Sequence, residues 1–358
     1  MKNIKNKIKF FFLYFWNLYI KYFIQIDQNK NIKFKKKLSI LFIKPCDYLN
    51  LYTYQGNNFN KIIFSSLYRM GPVGLFTEFK SEFIISKSFY KKKNRKKNKI
   101  FDQFKSGYNL NIIDFNKYDL VIAFEDIVDV SIINNYTKTL WAIIYEDHSN
   151  KMYKKNILMS PKKYDLILNQ TLGFTPYSFF RRKHWIDFSY TFGNSNFMKK
   201  TNLTHKSFLD IIVDVNQKKY IKEEIKKIFR YKTLILDEKL SFKNYLKTLS
   251  KGRFFIAIDC DLPRWGNSLL EAALCQNLVI ANKNHFWNSQ IVLDELNVKD
   301  IKQAIQIIDN INSNKKLYKK LLIKQNKQLN YFNFTRPIYQ LRDYVKKANR
   351  DLNIYKKL

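Results

Sequence analysis

The sequence predicts an α/β protein with two parallel sheets, and three observations carry that prediction. Short apolar runs recur along the chain, each is separated from the next by a polar or helix-length stretch, and the rhythm restarts in the second half. Runs that are apolar at every position mark strands buried on both faces, the kind found in parallel sheets wrapped by helices. Ligands of such sheets bind outside the carboxyl ends of the strands, so two sheets in one chain imply two Rossmann-like domains facing a cleft. At 358 residues there is material for two cores of ordinary size.

In the first half, strands are expected at 38–43, 118–124, 140–145 and 164–168, the third running into Glu146-Asp147-His148. In the second half they are expected at 208–213, 233–236, 254–258 and 278–281. Helices fit 218–229, 242–251 and 267–275, and a lysine-rich helical region fits 301–327. Residues 190–206 are the most turn-rich stretch near the middle and serve as the linker. The expected division is a basic aromatic segment at 1–35, domains at 36–200 and 201–336, and a terminal helix at 337–358. In that helix Leu341, Tyr344 and Val345 share one face. No fixed-period internal repeat is visible.

The most informative stretch is 254–281: a strand, a short polar loop, a helix with an acid at mid-face, and a second strand. Gly266 and Asn267 stand where small or capping residues suit a helix start, so free backbone N–H groups and the positive dipole end face the loop. A helix start beside the carboxyl end of a parallel strand is a phosphate-binding arrangement. From spacing alone, an ordinary strand-helix-strand unit without a ligand fits equally well.

The run from Gly266 through Asn267, Ser268, Glu271-Ala and Cys275-Gln-Asn-Leu-Val-Ile280 resembles a segment of the GT-B-fold glycosyltransferases of the large retaining group. There an acid, Pro, Phe and Gly lead into a helix with Glu-Ala, and Cys-Gly-x-Pro-Val-Ile follows. The resemblance implies that Glu271 accepts hydrogen bonds from the donor ribose hydroxyls, a task suited to an acceptor-only carboxylate. It also implies a diphosphate pocket at Gly266, Asn267 and Ser268, with basic residues early in the second domain, here Lys218 and Lys219, as a clamp. The terminal helix resembles the one that in this fold crosses back to the first domain. His148 follows a first-domain strand where related enzymes place residues touching the sugar or the acceptor; a loop cluster without chemistry is the plainer account of it. Departures are clear: Pro263 stands where the family has a Glu, Gln276 replaces a Gly and Leu278 a Pro. Arg264, next to Pro263, is then the nearest cation for the leaving diphosphate.

The implied activity is transfer of a sugar from a nucleotide-sugar donor to an acceptor hydroxyl, with a cell-surface glycan or glycolipid as acceptor. No metal or other cofactor is expected: Asp259-Cys-Asp261 looks like the metal signature of another glycosyltransferase fold but sits inside the strand-helix corner. A fucosyltransferase-like or polyol-phosphate transferase of the same architecture stays open, and so does a non-catalytic basic protein that binds membrane or nucleic acid.

The formal charge of +36 invites a nucleic-acid reading. Abundant Lys, Asn, Ile, Phe and Tyr together point instead to A/T-biased coding, and no zinc-finger spacing, RNA-recognition motif or basic-zipper pattern is present. Nucleic acid is therefore not the expected partner. Residues 10–20 are intensely apolar and aromatic between Lys9 and Lys21, too short to span a bilayer and lacking a small-residue cleavage site. They fit an interfacial helix on an anionic membrane, or else a helix packed on the first domain. Cys46, Cys260 and Cys275 show no metal or disulfide spacing, which suits a reducing compartment. The expected location is the cytoplasm, at the cytoplasmic face of the membrane.

Overall fold

The computed structural model describes residues 38–43, 80–84, 110, 113–124, 128–144, 164–169, 185–187, 205, 206, 208–214, 230–236, 240, 242–258, 264, 266–286, 288–329, 335–348, 350–355 and 357, with 7, 8, 10, 11 and 13–15 of the N-terminal segment. The chain divides into two compact units. An N-terminal unit comprises Asn31–Gln170, Tyr177–Tyr190 and Phe334–Leu358; a C-terminal unit comprises Met1–Lys30, Thr171–Pro176 and Thr191–Asn333.

The N-terminal unit is built on six strands: β1 (Ser39–Ile43), β2 (Lys80–Ile84), β3 (Leu120–Phe124), β4 (Leu140–Ile144), β5 (Leu166–Asn169) and β6 (Trp185–Asp187). They lie in the order β2-β1-β3-β4-β5-β6 with every neighbouring pair parallel. Alternate residues Leu41, Ile43, Val121, Ala123, Trp141, Ile143 and Ile167 share one core with Phe115 and with Ile132 and Ile133 of α1 (Val130–Asn135). The period of two along each strand produces this layer, and register keeps it continuous: Leu41 faces Val121, which faces Trp141.

Two Tyr-Asp-Leu segments lead into β3 and β5, and their aspartates act on the amino edge of the sheet. Asp119 accepts the Ser39 N–H at 2.7 Å, and Asp165 accepts the Trp141 N–H at 2.8 Å. The chain end fastens to the same carboxylates. After the final helix (Thr335–Lys347), Arg350 forks onto Asp165 at 2.7 and 2.8 Å, and Lys357 reaches Asp119 at 2.6 Å. Leu341 and Val345 are buried and Tyr344 half-buried, the face that their spacing predicts.

The C-terminal unit carries β7 (Leu209–Asp214), β8 (Thr233–Leu236), β9 (Gly252–Ala257) and β10 (Leu278–Ala281), in the order β10-β9-β7-β8 and all parallel. In both sheets the second strand lies to one side of the first and the third to the other, so each has a topological switch point beside its first strand. The helices are α2 (Phe242–Leu249), α3 (Asn267–Leu274), α4 (Ile301–Ser313) and α5 (Lys315–Leu329); the final helix of the other unit is α6. The expected single helical region at 301–327 is two helices, because Asn314 ends α4 and then caps α5, accepting the Leu317 N–H at 3.0 Å. The expected helix at 218–229 and the linker up to 204 lie outside the described residues.

Among the described strands β10 lies at the sheet edge; Asn297 bridges it at Ala281, and earlier in the strand a side chain stands where a neighbouring strand would. Gln325 of α5 is fully buried; its Oε1 accepts the Val279 N–H at 2.8 Å and its Nε2 donates to the Asn277 carbonyl at 2.7 Å. One amide thus pairs two backbone groups as a further strand would. Gln325→Leu should orphan both and lower unfolding free energy by about 1–3 kcal/mol per group, measured by denaturant titration. Gln325→Glu should not rescue it, since a carboxylate cannot donate to the Asn277 carbonyl.

Candidate donor-binding corner

The corner predicted at 254–281 forms around β9, α3 and β10. β9 begins at Gly252, where a Cβ would fall 2.4 Å from Asn277 Oδ1 and 2.5 Å from Ile212 Cδ1; only glycine admits that approach. After β9, the chain returns to described structure at Arg264, whose N–H donates to the His285 carbonyl at 2.8 Å and which bridges in parallel to Phe286. A short extension of the sheet therefore fixes the Arg264 backbone next to the start of α3, with the residue half-buried.

Gly266 starts α3 in the left-handed region at φ 81° and offers no capping side chain. Its carbonyl accepts the Leu269 and Leu270 N–H groups at 3.1 and 3.4 Å. An uncapped start leaves first-turn N–H groups for another acceptor. Beside it, Asn288 is buried and donates from Nδ2 to Asn267 Oδ1 at 3.3 Å. The 282–288 loop was not singled out in the sequence. It has no apolar period, and its only signal is its place directly after a strand.

Within α3, residues Leu269 to Leu274 are all buried, and Glu271 is the one acid among them, with no exposed surface. Its charge adds to burial, the larger cause, in pushing the Cys275 thiol far above its ordinary range, so Cys275 is an inert core thiol. The helix ends in a Schellman arrangement: the Gln276 N–H donates to Ala273 O and the Asn277 N–H to Ala272 O, both at 3.0 Å. Gln276 carries φ 67°, a left-handed conformation that glycine adopts without strain. That is the physical reason a glycine suits this position, and the sequence departs from it.

The structure thus brings Arg264, Gly266, Asn267, Ser268 and Glu271 together at one end and along one helix of the C-terminal sheet. His148, Lys218 and Lys219 lie outside the described residues, as do Asp259, Asp261 and Pro263. Among the described residues, no group of three or more His, Cys, Asp or Glu could hold a metal ion, and no helix is long and apolar enough to cross a membrane.

No family model and no curated protein matches the chain. Solved structures do. A glycosyltransferase from Rickettsia africae ESF-5 is similar at a TM-score of 0.56 and 11% identity, over 88% of this chain and 99% of that one. The fold is GT-B. Two further likenesses have TM-scores too low to carry an argument. The Anabaena protein HepE, in complex with UDP and glucose, matches at 0.41 and 9% identity over 87% of this chain and 99% of its own. A DNA-modifying beta-glucosyltransferase, solved in the presence and absence of uridine diphosphoglucose, matches at 0.43 and 13% over the same shares. The GT-B fold accounts for two parallel α/β sheets in one chain.

Two stability changes of opposite sign are expected at the ends of α3. Gln276→Gly should raise unfolding free energy by about 1 kcal/mol, because the left-handed position then costs no Cβ clash. Gly266→Ala should lower it by about 1–2 kcal/mol, since its Cβ would meet Leu269 Cδ1 and Phe286 Cβ at 3.3 Å in a conformation alanine resists. Calorimetry of the two variants checks both.

A pH dependence follows from His205, whose Nδ1 donates to the Cys275 carbonyl at 3.0 Å. Burial lowers its pKa from the ordinary 6.5, outweighing the raising effect of hydrogen bonds to the Cys275 and Ser250 carbonyls. The unfolded chain then takes up a proton more readily than the folded one. This contribution to stability is complete above 6.5 and is lost as pH falls from there through the lowered folded value. Denaturant titrations across that window should show a shallower pH slope for His205→Gln than for the parent.

Proposed function

We propose that this protein transfers a hexose from a nucleotide-sugar donor to an acceptor hydroxyl on a glycan or glycolipid, as a step in polysaccharide biosynthesis. The observation that carries the reading is Glu271: a carboxylate buried in the helix that follows the third strand of a parallel sheet, within a GT-B fold. Glu271 is the one acid in a run of leucines and alanines, a little over one turn past the uncapped start at Gly266, and that placement supports a donor-side role. In this reading Glu271 accepts the two vicinal ribose hydroxyls and sets the orientation of the nucleotide.

The bond between the sugar's anomeric carbon and the diphosphate breaks, a bond from that carbon to the acceptor oxygen forms, and the hydroxyl proton passes to solvent or a nearby base. Negative charge grows on the leaving diphosphate, so the site needs fixed donors more than a strong nucleophile. The N–H groups at Gly266, Asn267 and Ser268 supply them, and the Arg264 guanidinium offers a two-pronged partner for phosphate oxygens. Lys218 and Lys219 are assigned as further diphosphate contacts and His148 as an acceptor-side residue; no metal ion is required. We also assign to the N-terminal segment a peripheral contact with an anionic membrane, on its cytoplasmic face.

Nucleoside diphosphates and their hexose conjugates, tested one base at a time, identify the donor by thermal stabilisation, which must accompany any ligand that binds only the folded form. Stabilisation by none of them, with tight binding to nucleic acid, would overturn the reading in favour of a basic binding protein. Glu271→Gln should weaken donor binding by about 1–3 kcal/mol, read by titration calorimetry. Arg264→Ala should lower turnover by about tenfold to a thousandfold while affecting donor affinity less, and Arg264→Lys should recover only part of the loss.

A further inference from the structure

The N-terminal segment is polarised in the opposite sense to an ordinary surface helix. Residues 7, 8, 10, 11 and 13–15 are helical. Leu13 is fully buried, and Phe10 is half-buried with its ring 5.4 Å from the His285 ring. The opposite arc carries Ile8, Phe11, Tyr14 and Phe15, which are 49%, 59%, 52% and 44% exposed. At 100° per residue these four, with exposed Lys7, occupy about a third of the circumference. The Phe11 and Phe15 rings, one turn apart, meet at 4.6 Å with their planes tilted by 58°, and Tyr14 meets Phe15 edge-on at 5.8 Å, so the rings form one patch. A helix resting on a water-soluble unit places polar residues outward; this one turns its aromatics outward.

Charge selects the occupant. Lys2, Lys5, Lys7, Lys9 and Lys21 flank the aromatic run, and no acid precedes Asp27. A second copy of a chain with a formal charge of +36 is repelled by such a patch, whereas a surface of anionic headgroups is attracted to it. Aromatic rings at headgroup depth with lysines reaching lipid phosphates are the components of an interfacial helix.

We propose that the face formed by Ile8, Phe11, Tyr14 and Phe15 is a docking surface for an anionic bilayer, held on the C-terminal unit by Phe10 and Leu13. The proposal rests on the membrane contact assigned above and deepens it by naming the face. The helix is not a tether: its inner side touches His285, whose carbonyl holds the Arg264 backbone. Docking therefore brings the donor corner to the lipid surface, where an acceptor borne on lipid is presented.

The full chain is tested by co-sedimentation with vesicles of mixed phosphatidylcholine and phosphatidylglycerol, against phosphatidylcholine alone, at low and high salt. The parent should bind the mixed vesicles, and bind more weakly in high salt and to phosphatidylcholine. The combined variant Phe11→Ser, Tyr14→Ser, Phe15→Ser should lose about tenfold or more in vesicle affinity at an unchanged thermal midpoint, because it alters only exposed side chains. Leu13→Ala, on the buried side, should lower the midpoint and leave the outward aromatics able to bind. A parent that ignores both vesicle types overturns the membrane contact itself. Parent and triple variant binding alike overturns only this face. A parent dimer that the triple variant dissolves overturns the lipid in favour of a second copy. None of these outcomes depends on donor binding, so they stand apart from the sugar-transfer reading.

Discussion

A parallel sheet cannot be closed by hairpins, and most of this structure follows from that constraint. Each strand must be re-entered from the same end, so the crossovers gather helix starts at the carboxyl edge and leave the amino edge for structural contacts. Both edges are used. At the amino edge of the N-terminal sheet, Asp119 and Asp165 take backbone N–H groups of β1 and β4, and the chain end fastens onto them through Lys357 and Arg350. In the C-terminal sheet, β9 leads toward Arg264 and the uncapped start of α3. Structural contacts and the proposed chemistry thus fall on opposite edges of the same kind of sheet.

The corner itself is a set of local compromises. Gly266 and Gln276 place a left-handed residue before and after α3, the first with a glycine and the second without one. Within the helix a buried acid stands among leucines and alanines, next to a thiol that its charge helps hold protonated. These features fall within eleven residues beside the switch point of a GT-B sheet, and the proposed donor site rests on that concentration.

Charge and apolar surface tell a consistent story once they are located. Spread over the chain, the lysine excess has no single partner to name. Beside the outward aromatic face of the N-terminal helix, apolar area and positive charge meet in one place, and the proposed contact with an anionic interface rests on that coincidence.

Much of the fold was legible in the sequence because parallel strands are apolar on both faces. The strands at Thr233–Leu236 and Leu278–Ala281 match their expected bounds, and the other six expected strands shift by one or two residues at one or both ends. Lys80–Ile84 and Trp185–Asp187 were missed; both are edge strands carrying charged residues, and the second is three residues long, so they lack the continuous apolar signal. The break at Asn314 was hidden in a lysine-rich run whose helical pattern continues through it. At the corner, the helix, its start and its acid could be named from residue spacing and resemblance. The support from His285, Phe286 and Asn288 could not, since these contacts join segments far apart in the chain. By itself, then, the sequence determined the strand-helix rhythm and the identity of the corner residues, which depend on local pattern. Only the tertiary structure decided that Gln325 completes the β10 edge and that the N-terminal helix rests on the C-terminal unit, not on the first domain named by the alternative to an interfacial helix, with its aromatics outward. Those outcomes depend on which surfaces meet, and no periodicity within a segment records its distant partner.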